Sequence, residues 1–130
     1  MLPSTGGLAM PDSGKFCVSL SRGTDDLDRA TAAFVVANAA VAADQETMVY
    51  LSTDAVSLAI GPLVENTGDV GVPFKELMEN FVSAGGQIFV NGPCVKRRRL
   101  DDRQLVKGAS LADPAKLVEF LSDGTPCVSY

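Results

Sequence analysis

Residues 85–94, with the sequence GGQIFVNGPC, contain the pattern that decides the fold class. A glycine pair ends a helical pattern, a β-rich run at 87–90 follows, and an Asn-Gly-Pro turn leads to Cys94. Gly85 is typical of the position just after a helix. The stretch therefore predicts a helix, a strand and a second helix in direct succession.

The same alternation of strand and helix patterns runs through the chain from residue 15 onward. Short β-rich runs predict strands at 15–20, 46–51, 87–90, 106–111 and 125–129. Apolar residues at helical spacing predict helices at about 27–43, 73–84 and 114–123, with partial helix in 95–105. Strands that alternate with helices are typical of a parallel sheet covered on both faces. The sequence therefore predicts a three-layer α/β/α fold around a mostly parallel sheet of about five strands.

Several local expectations accompany this fold. Thr24 offers a side-chain N-cap for the first long helix, and the many Ala and Val residues of that helix predict burial on more than one side. Residues 62–72 contain Gly and Pro and are expected to form a mobile loop. Pro126 places the last strand at an edge of the sheet. Residues 1–14 are expected to be a flexible tail that precedes one domain at 15–130.

The composition restricts the function classes. The chain has 130 residues, of which 46% are hydrophobic and 21% charged, as in an ordinary globular domain. Its net charge of −5 argues against a nucleic-acid partner, and its longest apolar run is too short for a membrane span. His is absent, which excludes Ser-His-Asp triads, Cys-His dyads and His-ligated metals. We expect no metal and no cofactor.

The three cysteines are Cys17, Cys94 and Cys127; they lie far apart and form no C-x-x-C pair. A chain of this length can build a core without disulfides, so a cytoplasmic location is the simpler expectation. Cys17 and Cys127 lie inside predicted strands, and we expect both to be small, buried core residues. Cys94 differs because it follows a strand through a turn and opens a helix.

Cys94 is the candidate catalytic residue. In an open parallel sheet, ligands bind beyond the carboxyl ends of the strands, and residues 21–23, 52–54 and 91–94 are expected to meet there. Asp54, in the second segment, is expected to cap a helix rather than to act in the site. Backbone N–H groups and a helix dipole favour the thiolate of Cys94, which can attack a sulfane sulfur, a disulfide or a peroxide. The alternative is an inert, half-buried thiol.

Basic residues follow the candidate thiol. Residues 93–130 carry seven basic and five acidic residues, a net charge of +2, whereas residues 1–92 carry four basic and eleven acidic ones, a net charge of −7. The cluster at 96–99 is suited to hold an anion beside the thiol or to contact an acidic patch of a neighbouring subunit. The alternative is a solvated helix face paired to Asp101 and Asp102. No aromatic residues are interleaved with these cations, so stacking on nucleic-acid bases is not expected.

The C-terminal half of the chain carries a family resemblance. Its elements are the stretch 85–94, the basic run after it, LVKGA at 105–109, LVEFL at 117–121 and CVSY at 127–130. In this order they resemble the DsrE/DsrF-like family, and the resemblance extends more loosely over residues 15–130. Members are small α/β proteins, often homotrimers or homohexamers, and some are sulfurtransferases of sulfur-relay and sulfur-oxidation systems.

The resemblance implies a role for Cys94 in sulfur handling. In the sulfurtransferase members a cysteine after the corresponding strand carries a persulfide, and Cys94 matches that place. Asn91 stands where some relatives have an earlier cysteine, which favours a single sulfur carrier. The residues expected to bind the substrate or to stabilise thiolate and persulfide lie around the thiol: Gly92, Pro93, Val95, Lys96 and Arg97.

The implied function is a cysteine persulfide carrier or sulfurtransferase subunit of a sulfur relay. Its partners would be another sulfur-relay protein and further copies of the chain, in a trimer or hexamer. An alternative from another class is a non-enzymatic, oligomeric module that binds a small ligand or a partner, in which Cys94 is incidental. A third function, thiol-based peroxide handling, needs a resolving cysteine that the sequence does not place.

Overall fold

A computed structural model describes residues 14–130 and contains a five-stranded sheet in which all paired strands are parallel. The strands are β1 Lys15–Leu20, β2 Glu46–Leu51, β3 Gln87–Asn91, β4 Ala109–Ala112 and β5 Cys127–Ser129. Their order across the sheet is β4-β3-β2-β1-β5. The predicted α/β fold and the edge position of the last strand are therefore confirmed.

Helices cover the two faces of this sheet unequally. Within residues 14–130 they are α1 Leu27–Ala42, α2 Gly61–Glu65, α3 Val72–Ser83, α4 Gly92–Arg97 and α5 Pro114–Leu121. Short 3-10 segments lie at Thr53–Ala59, Gly68–Gly71 and Asp102–Gln104. Helices α1 and α3 pack on one face of the sheet, and α5 packs on the other. The three layers predicted from the sequence are present, with the thinner cover on the α5 side.

The larger core lies between the sheet and the helices α1 and α3. Phe34 of α1 packs edge-to-face against Phe74 and Phe81 of α3, with ring centroids 5.3 and 5.6 Å away. Such edge-to-face pairs add to the apolar area that the rings bury. The central strand β2 is buried at every position after Glu46, because it has a neighbour on each side and helices on both faces. This rigid centre fixes where the strand ends lie.

Two local predictions are wrong. Residues 62–72 form most of α2 and a 3-10 segment rather than a loop, and Val64 is buried there. The prediction failed because Pro is also common in the first turn of a helix, where its fixed φ is suitable. The N-cap of α1 is Asp26, whose side chain accepts from the N–H of Arg29, and not Thr24. The fourth strand, expected as a short strand around Gly108 within 106–111, is present but begins after that glycine, at Ala109.

Helix α1 buries one face and not several. Its buried residues recur at helical spacing: Ala30, Ala33, Phe34, Ala37 and Ala40. Val35, on another face, is 52% exposed. Within residues 14–130, α1 therefore has one contact face, because residues spaced three or four apart lie on the same side of a helix.

The predicted tail lies outside the described residues except for Gly14, whose carbonyl accepts a hydrogen bond from the N–H of Glu46. From Gly14 to the last residue, no helix combines the length and the apolar character that a bilayer crossing requires.

Candidate functional site

The loops that follow β1, β2 and β3 meet at one edge of the sheet. The hydroxyl of Thr53 donates to the carbonyl of Ser21 at 2.8 Å, and the backbone N–H of Thr53 donates to Sγ of Cys94 at 3.3 Å. A Cβ on Gly23 would clash with the carbonyl oxygen of Asp54, so this close approach of the first two loops requires glycine. The three segments expected to meet are therefore in contact.

Asn91 holds the turn that presents Cys94. Its side-chain oxygen accepts from the N–H of Cys94 at 3.0 Å, as the N-cap of α4. Its amide nitrogen donates to the hydroxyl of Tyr50 at 3.0 Å. One side chain thus ties the turn both to the new helix and to the buried end of β2, which limits the positions that the thiol can take.

Thr53 has an unusual backbone conformation. Its φ is +49°, in the left-handed region that β-branched residues rarely adopt. This conformation costs about 1–2 kcal/mol for an L-residue, and the hydrogen bond from its hydroxyl to Ser21 helps to hold it. In this conformation the N–H of Thr53 reaches the sulfur of Cys94. Strained residues of this kind cluster at functional sites.

Arg98 brings a positive charge to the same place. Its guanidinium forms an ion pair with Asp54 at 3.0 Å and donates to the carbonyl of Cys94 at 3.4 Å. The expectation that Asp54 caps a helix is wrong, because its side chain points across to α4. Asp101 pairs with Arg103 at 3.1 Å and not with the cluster at 96–99.

The predicted site residues divide between two sides of α4. A shallow pocket of about 290 Å³ contains Cys94 and two of the predicted residues, and its lining is Thr53, Asn91, Pro93, Cys94, Arg97, Arg98 and Pro114. A second pocket, of about 580 Å³, is lined by Gly92, Pro93, Val95, Lys96, Leu100, Asp101, Asp102 and Leu111. Pro93 and Arg97 therefore lie with the thiol, whereas Gly92, Val95 and Lys96 line the other side of the helix.

Tyr50 is a buried neighbour of the site. Burial raises the pKa of its phenol, the hydrogen bond from Asn91 opposes that shift, and the negative charges of Cys94 and Asp113 reinforce it. The phenol therefore stays protonated at neutral pH. Tyr50 supports the turn through Asn91 rather than by reaching the pocket.

Cys17 and Cys127 lie away from Cys94, in the strands β1 and β5. Cys17 is fully buried, as predicted, but Cys127 is exposed, and that prediction is wrong. The reason is that β5 is a three-residue strand at the edge of the sheet, with a neighbouring strand on one side only.

Sequence reasoning missed the contributions of Thr53, Tyr50 and the pair Asp54–Arg98. The position of Thr53 after β2 was visible in the sequence, but its contribution is a backbone N–H, which every non-proline residue has. The contact between Asp54 and Arg98 spans 44 residues. No local pattern indicates such a contact, because it depends on the strand order.

The fold and the site define a class: small parallel α/β domains with a thiol at a strand-to-helix turn. Comparison with known families assigns the chain to a family of small α/β proteins. The model of the DsrE/DsrF-like family matches residues 14–129. The chain therefore belongs to the DsrE/DsrF-like family.

Individual relatives agree with this assignment. The chain is 28% identical over 116 residues to the uncharacterized protein MJ0989 of Methanocaldococcus jannaschii, a match that covers 89% of this chain and 99% of that protein. It is also 28% identical over 103 residues to the uncharacterized protein MK0008 of Methanopyrus kandleri, with coverage of 79% and 83%.

Two solved structures share the fold. The crystal structure of the YchN protein of E. coli superposes with a TM-score of 0.67 at 12% identity and covers 89% of this chain and 99% of its own. The MTH1491 protein of Methanobacterium thermoautotrophicum, of unknown function, gives a TM-score of 0.65 at 11% identity, with coverage of 89% and 100%. At these identities the likeness concerns the fold alone.

Proposed function

We propose that this protein carries sulfane sulfur as a persulfide on Cys94, as a carrier or sulfurtransferase subunit of a sulfur relay. The observation that carries the proposal is the hydrogen bond of 3.3 Å from the N–H of Thr53 to Sγ of Cys94. A backbone donor aimed at Sγ stabilises the thiolate, whose negative charge lies on that atom, more than the neutral thiol. Membership of a family that includes sulfur-relay proteins supports the same function.

The surroundings of Cys94 suit a reactive thiol better than a structural one. The residue is half-buried and lines a pocket open to solvent. Arg98, whose side chain is 29% exposed, approaches its carbonyl, and Arg97 lines the same pocket. Reactive cysteines occupy partly exposed, electropositive environments of this kind, whereas structural ones are enclosed by apolar atoms.

The proposed reaction has two steps that conserve atoms and electrons. The thiolate of Cys94 attacks the sulfane sulfur of a donor R–S–S⁻, a new S–S bond forms, and R–S⁻ (protonated by solvent) leaves. The persulfide on Cys94 is then attacked at its outer sulfur by an acceptor thiolate, and the Cys94 thiolate leaves. The N–H of Thr53 is placed to stabilise the negative sulfur at the start and the end of this cycle.

The test is mass mapping after exposure of the reduced protein to a limiting amount of inorganic polysulfide. Tryptic cleavage separates the cysteines into peptides 16–22, 76–96 and 117–130. We expect one added sulfur atom on peptide 76–96. The Cys94→Ser variant should lose this product, and the Cys127→Ser variant, which lacks only an exposed thiol, should form at least as much of it as the wild type. Absence of sulfur on peptide 76–96 of the wild type would contradict the proposal.

A non-enzymatic function remains the second candidate. The pocket of about 580 Å³ is twice the volume of the one at Cys94 and does not include the thiol. It combines apolar residues with charges at its rim: Val95, Leu100, Leu111, Lys96, Asp101 and Asp102. Such a composition suits a small amphipathic ligand. Failure of Cys94 to load sulfur, with ligand binding that the Cys94→Ser variant retains, would favour this function.

Assembly into a homo-oligomer is also proposed, as a trimer or hexamer. Apolar side chains that the chain leaves exposed, including Val35 of α1 and Val118 of α5 (66% exposed), are compatible with contacts between copies. Light scattering at micromolar protein should then give a mass several times the 13.6 kDa of one chain. A mass of one chain would contradict the proposal.

A further inference from the structure

A second pair of thiols lies at the β5 edge of the sheet, away from Cys94. In the parallel pairing of β1 with β5, Cys17 is in direct register with Cys127. Side chains in register on adjacent strands point to the same face, so both sulfurs lie on the α5 side. Adjacent strands are about 4.8 Å apart, which falls within the Cα separations that disulfides span.

We propose that Cys127 and Cys17 form a redox-active dithiol, in which Cys127 is the entry thiol for a low-molecular-weight disulfide and Cys17 is the resolving thiol. The two thiols differ in solvent exposure, as an entry thiol and a resolving thiol must. Cys127 is exposed and open to a small oxidant, whereas Cys17 is fully buried and lies opposite Cys127 in the strand pairing.

The reaction is an ordinary thiol–disulfide exchange in two steps. The thiolate of Cys127 attacks a disulfide RSSR, forms a mixed disulfide and releases one RS⁻. Cys17 then gives up its proton and attacks Sγ of Cys127, which forms the Cys17–Cys127 bond and releases the second RS⁻. In total the two protein thiols lose two electrons and two protons, and RSSR becomes two RSH.

Two features of this edge support the order of events. Burial, and then the neighbouring Cys127, raise the pKa of the Cys17 thiol, so that the first attack belongs to Cys127. The strand β5 has three residues, follows Pro126 and has a neighbour on one side only. A short edge strand can shift to bring the sulfurs into bonding geometry at a smaller cost than a central one.

The inference is independent of the proposed function, and its test separates the two. The reduced wild-type protein is incubated with oxidised glutathione under native conditions, alkylated and digested with trypsin. We expect peptides 16–22 and 117–130 to become disulfide-linked, and the Cys94→Ser variant to give the same linked pair. The proposal would be overturned by the absence of this linked pair, by a stable glutathione adduct on Cys127 in the wild type, or by a link between peptides 76–96 and 117–130.

Two variants test the assignment of roles. In Cys17→Ala the glutathione adduct on Cys127 should accumulate, because the resolving thiol is missing. In Cys127→Ser, which alters only an exposed edge position and preserves the core, Cys17 should stay reduced because it is buried. Oxidation of Cys17 in the folded Cys127→Ser variant, at the rate at which wild-type Cys127 reacts, would overturn the entry role of Cys127.

Discussion

The backbone N–H of Thr53 donates a hydrogen bond to the sulfur of Cys94, although 41 residues separate the two in sequence. The contact joins the loop after β2 to the turn after β3, which are adjacent because β2 and β3 pair. It requires the left-handed backbone of Thr53, at a φ of +49°. The sulfur of Cys94 therefore accepts a hydrogen bond from a backbone N–H whose position requires a strained conformation of Thr53.

The strain at Thr53 has a consequence for stability. We expect Thr53→Gly to be more stable than Thr53→Ala by about 1 kcal/mol, because Gly adopts a positive φ without penalty and both variants lose the same hydroxyl. Glu79, an exposed residue inside α3, is the control position. There Ala should be the more stable by about 1 kcal/mol. Urea denaturation measures all four variants, and equal stability of the two Thr53 variants would contradict the strain.

Asn91 is expected to act through the position of Cys94. Asn91→Ala removes the cap on the N–H of Cys94 and the donor to Tyr50, and should cost about 1 kcal/mol of unfolding free energy. It should also slow alkylation of Cys94 by iodoacetamide, since the turn becomes free to move the thiol away from Thr53. Asn91→Asp keeps the capping oxygen and should retain most of the unfolding free energy, but its carboxylate beside Cys94 disfavours the thiolate, so only stability compares the two variants. A loss as large in Asn91→Asp as in Asn91→Ala would show that the cap is unimportant.

Arg98 and Arg99 are adjacent cations that we expect to behave differently. Arg98 lies at the Cys94 pocket, whereas Arg99 is exposed and does not line it. Arg98→Gln should slow sulfur loading of Cys94 from polysulfide anions about twofold, because a partly exposed charge contributes on the order of 0.5 kcal/mol. Arg99→Gln should change the rate little. The difference should shrink as the salt concentration rises, and equal rates for the two variants at low salt would argue against a role for Arg98.

An alkaline titration of the Tyr50 phenol should report its electrostatic interaction with Cys94. Burial raises the pKa of Tyr50 above its ordinary value of 10.0, and the negative charge of Cys94 adds to the shift. In a Tyr130→Phe background, phenolate absorbance reports Tyr50 alone, and Cys94→Ser should move its midpoint to lower pH. An unchanged midpoint would mean that the two groups do not interact.

The same shift gives the sign of a pH effect on stability. A phenol with a raised pKa in the folded state stabilises the protein fully below the unfolded pKa of about 10. This contribution is lost as the pH rises through the folded value. Denaturation curves should therefore show a loss of stability at alkaline pH that Tyr50→Phe reduces.

The elements of the fold were predictable because their signals are local. Residues 87–90 and Cys94 indicated the strand and the following helix without reference to any partner, and the alternation of such units fixed the parallel sheet. Where a local signal was ambiguous the prediction failed. The Gly and Pro residues in 62–72 indicate a loop as readily as the short helices that the structure contains.

The sequence by itself determined the class of fold, the family resemblance and the choice of Cys94, because periodicity, turn residues and a single thiol after a strand depend on neighbours in the chain. Only the tertiary structure decided that Thr53 and Arg98 lie beside this thiol, that Asp54 pairs with Arg98, and that Cys127 faces solvent beside a buried Cys17. Strand order brings these residues together across tens of positions. A hydrogen bond or an ion pair depends on the distance between two groups in space, and the spacing of two residues along the chain does not predict that distance.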